Sequence, residues 1–307
     1  MERLSSVGCK DFLSASTVES PVLPGFCLFV TRSSSYDALI FCALCIGYVL
    51  FNRAVLGSFL LDFIYGDKYS CMKECDKNTF RLRHVGIVAR TASFLLILKP
   101  TIMVAFANKN WFDPYSQGSD LSLGDTAFIS VMITSAFHLF ELIFDQTLKP
   151  LLVLHHLGSI FIIQGFLPAA IGLRQSNYLE LNGALAMMNV ALYWALLDAP
   201  LVVLSYIAAV LRSTFIQGRT NIRKLFYVCF NAAAIFTFIE IVAIVYLSWQ
   251  NWQQLSMLQR TIICSLQLLF TSAKARVCKS FYMAYVRQMD QLNNTQVTRH
   301  IEVTKPE

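Results

Sequence analysis

Nine ionisable residues stand inside long apolar stretches of this chain: Lys99, Asp125, His138, Glu141, Asp145, His155, His156, Asp198 and Glu240. An ionisable group at such a place costs several kcal/mol unless it is paired or wetted, so each is a candidate for function. The densest group lies in HLFELIFD and the following LKPLLVLHH. His138 and Glu141 are three residues apart, and Glu141 and Asp145 four, so all three share one helix face. His155 and His156 follow the turn at Lys149-Pro150, close to the start of the next apolar stretch. Helical rise therefore places them at a depth similar to that of His138. A neutral imidazole can take a proton from an attacking amine or hydroxyl, and a carboxylate can orient it. Acyl transfer from a cytosolic acyl-CoA is a reaction of this type. His155 and His156 are the candidate catalytic pair, with His138, Glu141 and Asp145 behind them. Adjacent helical residues point about 100° apart, so one ring would act as base while the other orients. The alternative for the whole group is a buried polar network that fixes helix packing.

Lys99, Asp198 and Glu240 are candidate cavity residues. Lys99 precedes Pro100, which can kink its helix, and could pair with Asp198 or Glu240. Lys274, in SAKARV, invites comparison with a retinal-binding lysine, but Arg276 and Lys279 follow at once and place it at the rim of the last stretch. Metal chemistry is disfavoured. Membrane di-iron enzymes use about eight histidines, and this chain has five, His84 and His300 included. Cys71 and Cys75 alone are too few for a zinc site. No metal and no resident cofactor is expected; acyl-CoA would enter only as a co-substrate. Nucleophile-elbow, P-loop and dinucleotide-binding motifs are absent.

The elements that must hold these residues are membrane helices. Of 307 residues, 56% are hydrophobic and 14% charged, with a mean hydropathy of +0.54. Soluble domains carry about 25% charged residues, so a water-soluble monomer and a disordered chain are both excluded. Apolar spans of bilayer length are predicted near 38–57, 87–107, 121–144, 151–172, 181–211, 225–248 and 260–281. The piece AVLGSFLLDFIY after Arg53 reads as a longer first helix or an interfacial segment. Residues 1–35 read as a flexible arm, and 286–307 as a tail. Lys and Arg crowd the loops 66–83 and 212–224 and the chain after Lys274, while the alternate segments hold only Arg3, Lys10, Arg32, Lys109 and Arg174. This alternation predicts the N-terminus outside and the C-terminus cytosolic. It also explains the net charge of +6 without nucleic acid. Trp111, Tyr115, Trp249 and Trp252 read as interfacial anchors.

The stretch HLFELIFDQTLKPLLVLHHLGSI, with its His-His pair, resembles the TLC-domain family of membrane proteins, which includes the ceramide synthases. RQSNYLELNGALAMMNVALYWALL and SLQLLFTSAK, with Gln267 and Lys274, look like later segments of that family. The resemblance covers about residues 80–285. It implies an all-α bundle of six helices around a membrane cavity, preceded by one extra helix (36–79 with its loop). It further implies membrane lipids as partners, an endoplasmic-reticulum location, and a role for His155 and His156 at the active site. Synthases carry an Asp-rich patch after the pair, where this chain has Gln175, Ser176, Asn177 and Glu180. The lipid-handling, non-synthase branch is therefore the leading reading. An acyl-CoA-dependent N-acyltransferase is the second, and a seven-span receptor the third. A homo-oligomer is compatible with all of them.

Overall fold

The computed structural model describes residues 22–107, 109–145, 148–172, 178–214 and 220–303. Side chains are described at 36–57, 59–107, 109–145, 148–164, 183, 186–214 and 221–291. Seven long helices account for nearly all of these residues: α1 Val22–Leu50, α2 Glu74–Phe106, α3 Leu123–Phe144, α4 Pro150–Gly172, α5 Tyr178–Thr214, α6 Thr220–Gln250 and α7 Met257–Val303. Each overlaps one predicted span, so the expected all-α membrane bundle is observed. By length and apolarity, five segments among the described residues can cross a membrane: Tyr36–Gly57, Glu74–Phe106, Leu123–Phe144, Ala186–Thr214 and Asn221–Gln250. In α4 the described apolar piece, Pro150–Gln164, is shorter. The outer surface carries large apolar side chains that water would not tolerate in such density, among them Phe63, Phe106, Phe161, Phe238 and Trp249.

Two boundaries differ from the sequence reading, and AVLGSFLLDFIY takes the first of its two readings, a longer first helix. The arm expected over 1–35 ends earlier, because α1 begins at Val22. Pro24 falls in its first turn, where the missing N–H costs nothing. Residues 1–21 lie outside the described residues. Beyond Leu50 the first helix continues as a π-helical stretch, Phe51–Leu60, and a further turn, Leu61–Tyr65. Gly66, with φ of 55°, stops it. The tail expected from 286 is also helical, because α7 meets neither Gly nor Pro before its end at Val303.

The helices pack as a closed ring with one outlier. Around the ring, α2 touches α3, α3 touches α4, α4 touches α7, α7 touches α6, α6 touches α5, and α5 returns to α2. Helix α1 lies outside, against α3 and α4. The most enclosed member is α3, which opens on a reciprocal cap. Ser122 Oγ accepts from Asp125 N at 3.0 Å, and the Asp125 carboxylate accepts from Ser122 N at 2.8 Å. Asp125 thus closes a helix start.

Apolar clusters lie on both sides of a central belt. On α2, Val85 and Ile97 belong to different clusters, with Arg90 between them. On α3, His138 separates Met132 from Phe140, although Phe137 adjoins it. On α5, Asp198 lies between Trp194 and Leu201. Glu240 on α6 falls between Ala233 and Ile244, and Lys274 on α7 between Phe270 and Phe281. Five helices thus turn an ionisable residue inward at the same level.

Candidate intramembrane polar site

The belt divides into two parts. The first is a relay of charges. Arg90 Nη1 is 3.7 Å from Asp198 Oδ2, and Lys274 Nζ is 3.1 Å from Asp198 Oδ1. Lys274 also donates to Glu240. All four residues are buried, so α2, α5, α7 and α6 are tied in one chain of alternating sign. Burying single charges here would be prohibitive, and alternation is what makes the arrangement tolerable.

The second part is a histidine cluster. His138 from α3 and His155 and His156 from α4 are all buried. The ring centroids of His138 and His156 are 4.2 Å apart, those of His155 and His156 5.5 Å, and those of His138 and His155 5.7 Å. Arg90 Nη2 lies 2.8 Å from His138 Nε2. A guanidinium can only donate, so Nε2 accepts and the neutral ring carries its proton on Nδ1. Glu141, one turn along α3, reaches back into the cluster. Its Oε2 is 3.4 Å from His156 Nε2 and 4.0 Å from His138 Nδ1. Its other oxygen accepts from the hydroxyl of Tyr206 on α5. Five buried polar atoms here have no hydrogen-bond partner: His138 Nδ1, His155 Nδ1, both nitrogens of His156, and Glu141 Oε2.

A cavity of about 40 Å³ adjoins both parts. Arg90, His138, His155, Asp198 and Lys274 supply its polar wall, and Ile162, Ile163, Trp194 and Phe270 its apolar wall. A second, almost wholly apolar cavity neighbours it, lined by Gly124, Ala127, Phe128, Val131, Met188 and Leu192. The two share Ile162, Ile163 and Ala191. His155 is held at the wall of the first cavity by an edge-on contact with Phe270, 4.6 Å between centroids.

The structure brings together His138, Glu141, His155 and His156, as their spacing suggested, and adds Asp198 and Glu240. It alters their order. His138, expected behind the pair, lines the cavity, whereas His156, expected at the front, is wedged between His138 and Glu141. Asp145 does not join the cluster. It follows α3 in an extended conformation, and its N–H is bonded to Glu141 O. Lys99 is likewise elsewhere. Its ammonium sits 3.9 Å above the Tyr115 ring, and the lysine that pairs with Asp198 and Glu240 is Lys274. Lys274 is therefore not at the rim; Arg276 and Lys279, which suggested that position, are exposed on the opposite face of α7. Trp111 is buried in the core, with Nε1 bonded to Asn189, while Trp249 stays exposed as an anchor would. Cys71 and Cys75 are exposed free thiols. Gln175, Ser176, Asn177 and the Glu180 side chain lie outside the described residues.

Two members were missed in the sequence. Arg90 lies in a predicted span, but the basic run Arg81–Arg83 before it disguises it as loop. Its face gave a signal: Gly86, Arg90, Ser93 and Ile97 recur at helical spacing, and all are buried. Tyr206 carries no comparable signal. Compared with protein-family models, curated proteins and solved structures, the chain matches none.

Proposed function

We propose that this chain is a TLC-type integral membrane protein of lipid homeostasis, resident in the endoplasmic reticulum with its N-terminus luminal. Its neighbouring cavities take up a membrane lipid. The observation that carries this reading is the wall at Ile162, Ile163 and Ala191, shared by a charged chamber and an apolar one. An amphipathic molecule matches that gradient, with its head against Arg90, His155 and Lys274 and a chain against Phe128, Val131 and Leu192.

The test is capture of a lipid bearing a photoreactive group in its acyl chain. Purified protein in nanodiscs should crosslink, and peptide mapping should place the adduct on α3 or α5 near Phe128 to Leu192. An Ala191→Phe variant, which adds bulk at the shared wall, should abolish capture without unfolding the bundle. Equal crosslinking in that variant, or adducts confined to the outer surface, would reject the reading. Labelled acyl-CoA and candidate amines in the same preparation test the acyltransferase alternative, in which His155 is the base; a His155-dependent amide would favour it.

A further inference from the structure

We infer that His138, His155 and His156 form a binding site for one divalent transition-metal ion of the zinc class, with Glu141 as the fourth ligand. This goes beyond the lipid reading and does not depend on it. The three histidines each offer a nitrogen, and these lie within 4.8 Å of one another. A tetrahedral site with zinc–nitrogen bonds of about 2.0–2.1 Å needs nitrogens about 3.3 Å apart. Reorientation of three rings, whose planes are now inclined at 47°, 56° and 79° to one another, supplies the difference. Imidazole and carboxylate are the ligands that zinc takes, and three His with one Glu fills a four-coordinate shell. The sequence argument against metal counted histidines for a di-iron centre; a single ion needs half as many ligands.

Two features of the cluster favour an ion over a plain packing role. Buried nitrogen and carboxylate atoms ordinarily find hydrogen bonds, and here five of them, in one group, make none of good geometry, although His156 Nε2 and Glu141 Oε2 lie 3.4 Å apart. The atoms belong to four residues, and one nitrogen of each histidine lies within 4.8 Å of the other two. Because His138 Nε2 accepts from Arg90, that ring must change tautomer or partner to offer an ion its lone pair. His84 shows the contrast: its Nδ1 bonds Phe80 O at 2.8 Å and its Nε2 bonds Tyr65 Oη at 2.9 Å, as a structural histidine should. The second feature is charge. Arg90 and Lys274 are matched by Asp198 and Glu240, whereas the ion-pair contacts of Glu141 are with histidines, which are neutral unless protonated. A cation held between Glu141 and the rings balances that carboxylate. Arg90 is the competitor. It holds His138 Nε2, and metal binding through that atom requires the guanidinium to turn fully to Asp198, its other partner.

The experiment uses the full chain, purified without a polyhistidine tag, stripped with a chelator and reloaded with Zn²⁺ or Co²⁺ before desalting. Elemental analysis should find about one zinc per chain. The Co²⁺ form should show the intense visible absorption of a tetrahedral ion. A His138→Ala, His155→Ala, His156→Ala variant should retain less than about a tenth of the metal, whereas His84→Ala should retain it all. Zn²⁺ should raise the unfolding temperature of the wild type and leave that of the triple variant unchanged. Retention of equal metal by the triple variant would overturn the proposal. So would a wild type that holds no metal, or a Co²⁺ form with only the weak absorption of an octahedral ion. The spectrum of the wild type decides the matter even if the variant fails to fold. Lipid capture measured on the same stripped protein separates the two ideas: capture without metal retention rejects the ion alone.

Discussion

The two parts of the buried belt use similar residues to opposite ends. In the relay, Arg90, Asp198, Lys274 and Glu240 alternate in sign across four helices, and each charge meets an opposite one. In the histidine cluster, a carboxylate and three rings crowd together with five atoms unpartnered. The first arrangement is what a fold needs when helices must be held in register where no hydrophobic effect acts between them. The second is poor as architecture and suited to holding something else. Burial alone does not separate the two, because both are buried; partner satisfaction does, with Arg90 Nε the one buried relay atom that makes no hydrogen bond.

The comparison breaks most easily at Lys274. Lys274→Met leaves Asp198 and Glu240 sharing Arg90 at best, and should lower stability by about 3–5 kcal/mol. Equilibrium unfolding in mixed micelles measures it. Adding Glu240→Gln removes one charge of each sign and leaves the Arg90–Asp198 pair, so the double variant should recover a large part of that loss. Simple additivity of the two changes would show that the charges do not act as a relay.

Much of this was legible in the residues. The seven long helices follow from apolar length, although only five segments among the described residues are long and apolar enough to cross a membrane and the span expected at 260–281 is not one of them. The histidine cluster follows from helical spacing across one short turn. What escaped was the sharing of one helix by two roles. Lys274 repeats in register with Phe270, Val277 and Phe281 on the inward face of α7, while Arg276 and Lys279 take the other face. Reading the three cations as one run hid the register. Arg90 was hidden the same way by Arg81 and Arg83. Lys99 failed for the reverse reason, because an unpaired lysine in a span was matched to distant acids while Tyr115 lay within reach. Pairing between remote helices depends on ring order, which no local pattern encodes.

A smaller effect is expected where the two parts meet. A methyl group at Gly86 would lie 2.5 Å from Tyr206 Cε2 and 2.8 Å from Phe137 Cζ. Gly86→Ala should therefore cost about 1–3 kcal/mol by overpacking and push Tyr206 away from Glu141. Tyr206→Leu in the same chain should restore part of the stability, but not the hydroxyl that Glu141 accepts from. Away from the belt, Ser93 Oγ lies 3.0 Å from Ser130 O, 2.8 Å from Ser130 Oγ and 2.9 Å from Thr134 Oγ1, joining α2 to α3. Ser93→Ala should cost only about 0.6–2 kcal/mol, the range of neutral hydrogen bonds between membrane helices. A loss as large as that of Lys274→Met would mean that neutral polar contacts, rather than charges, set the register.

The smallest change in stability should come from the residue with the largest consequence for function. His155→Phe removes a buried nitrogen that has no partner, and the new ring has Phe270 beside it and the cavity in front. Replacing an unsatisfied polar group by an apolar one of similar shape is close to neutral, so stability should change by less than about 1 kcal/mol and could rise. Lipid capture and metal retention should both fall to background, because the ring blocks the chamber and donates no lone pair. Sites kept for function commonly carry groups that stability alone would not retain. Had His155 been a packing residue like His84, whose two nitrogens are both bonded, the same substitution would cost stability and leave binding intact.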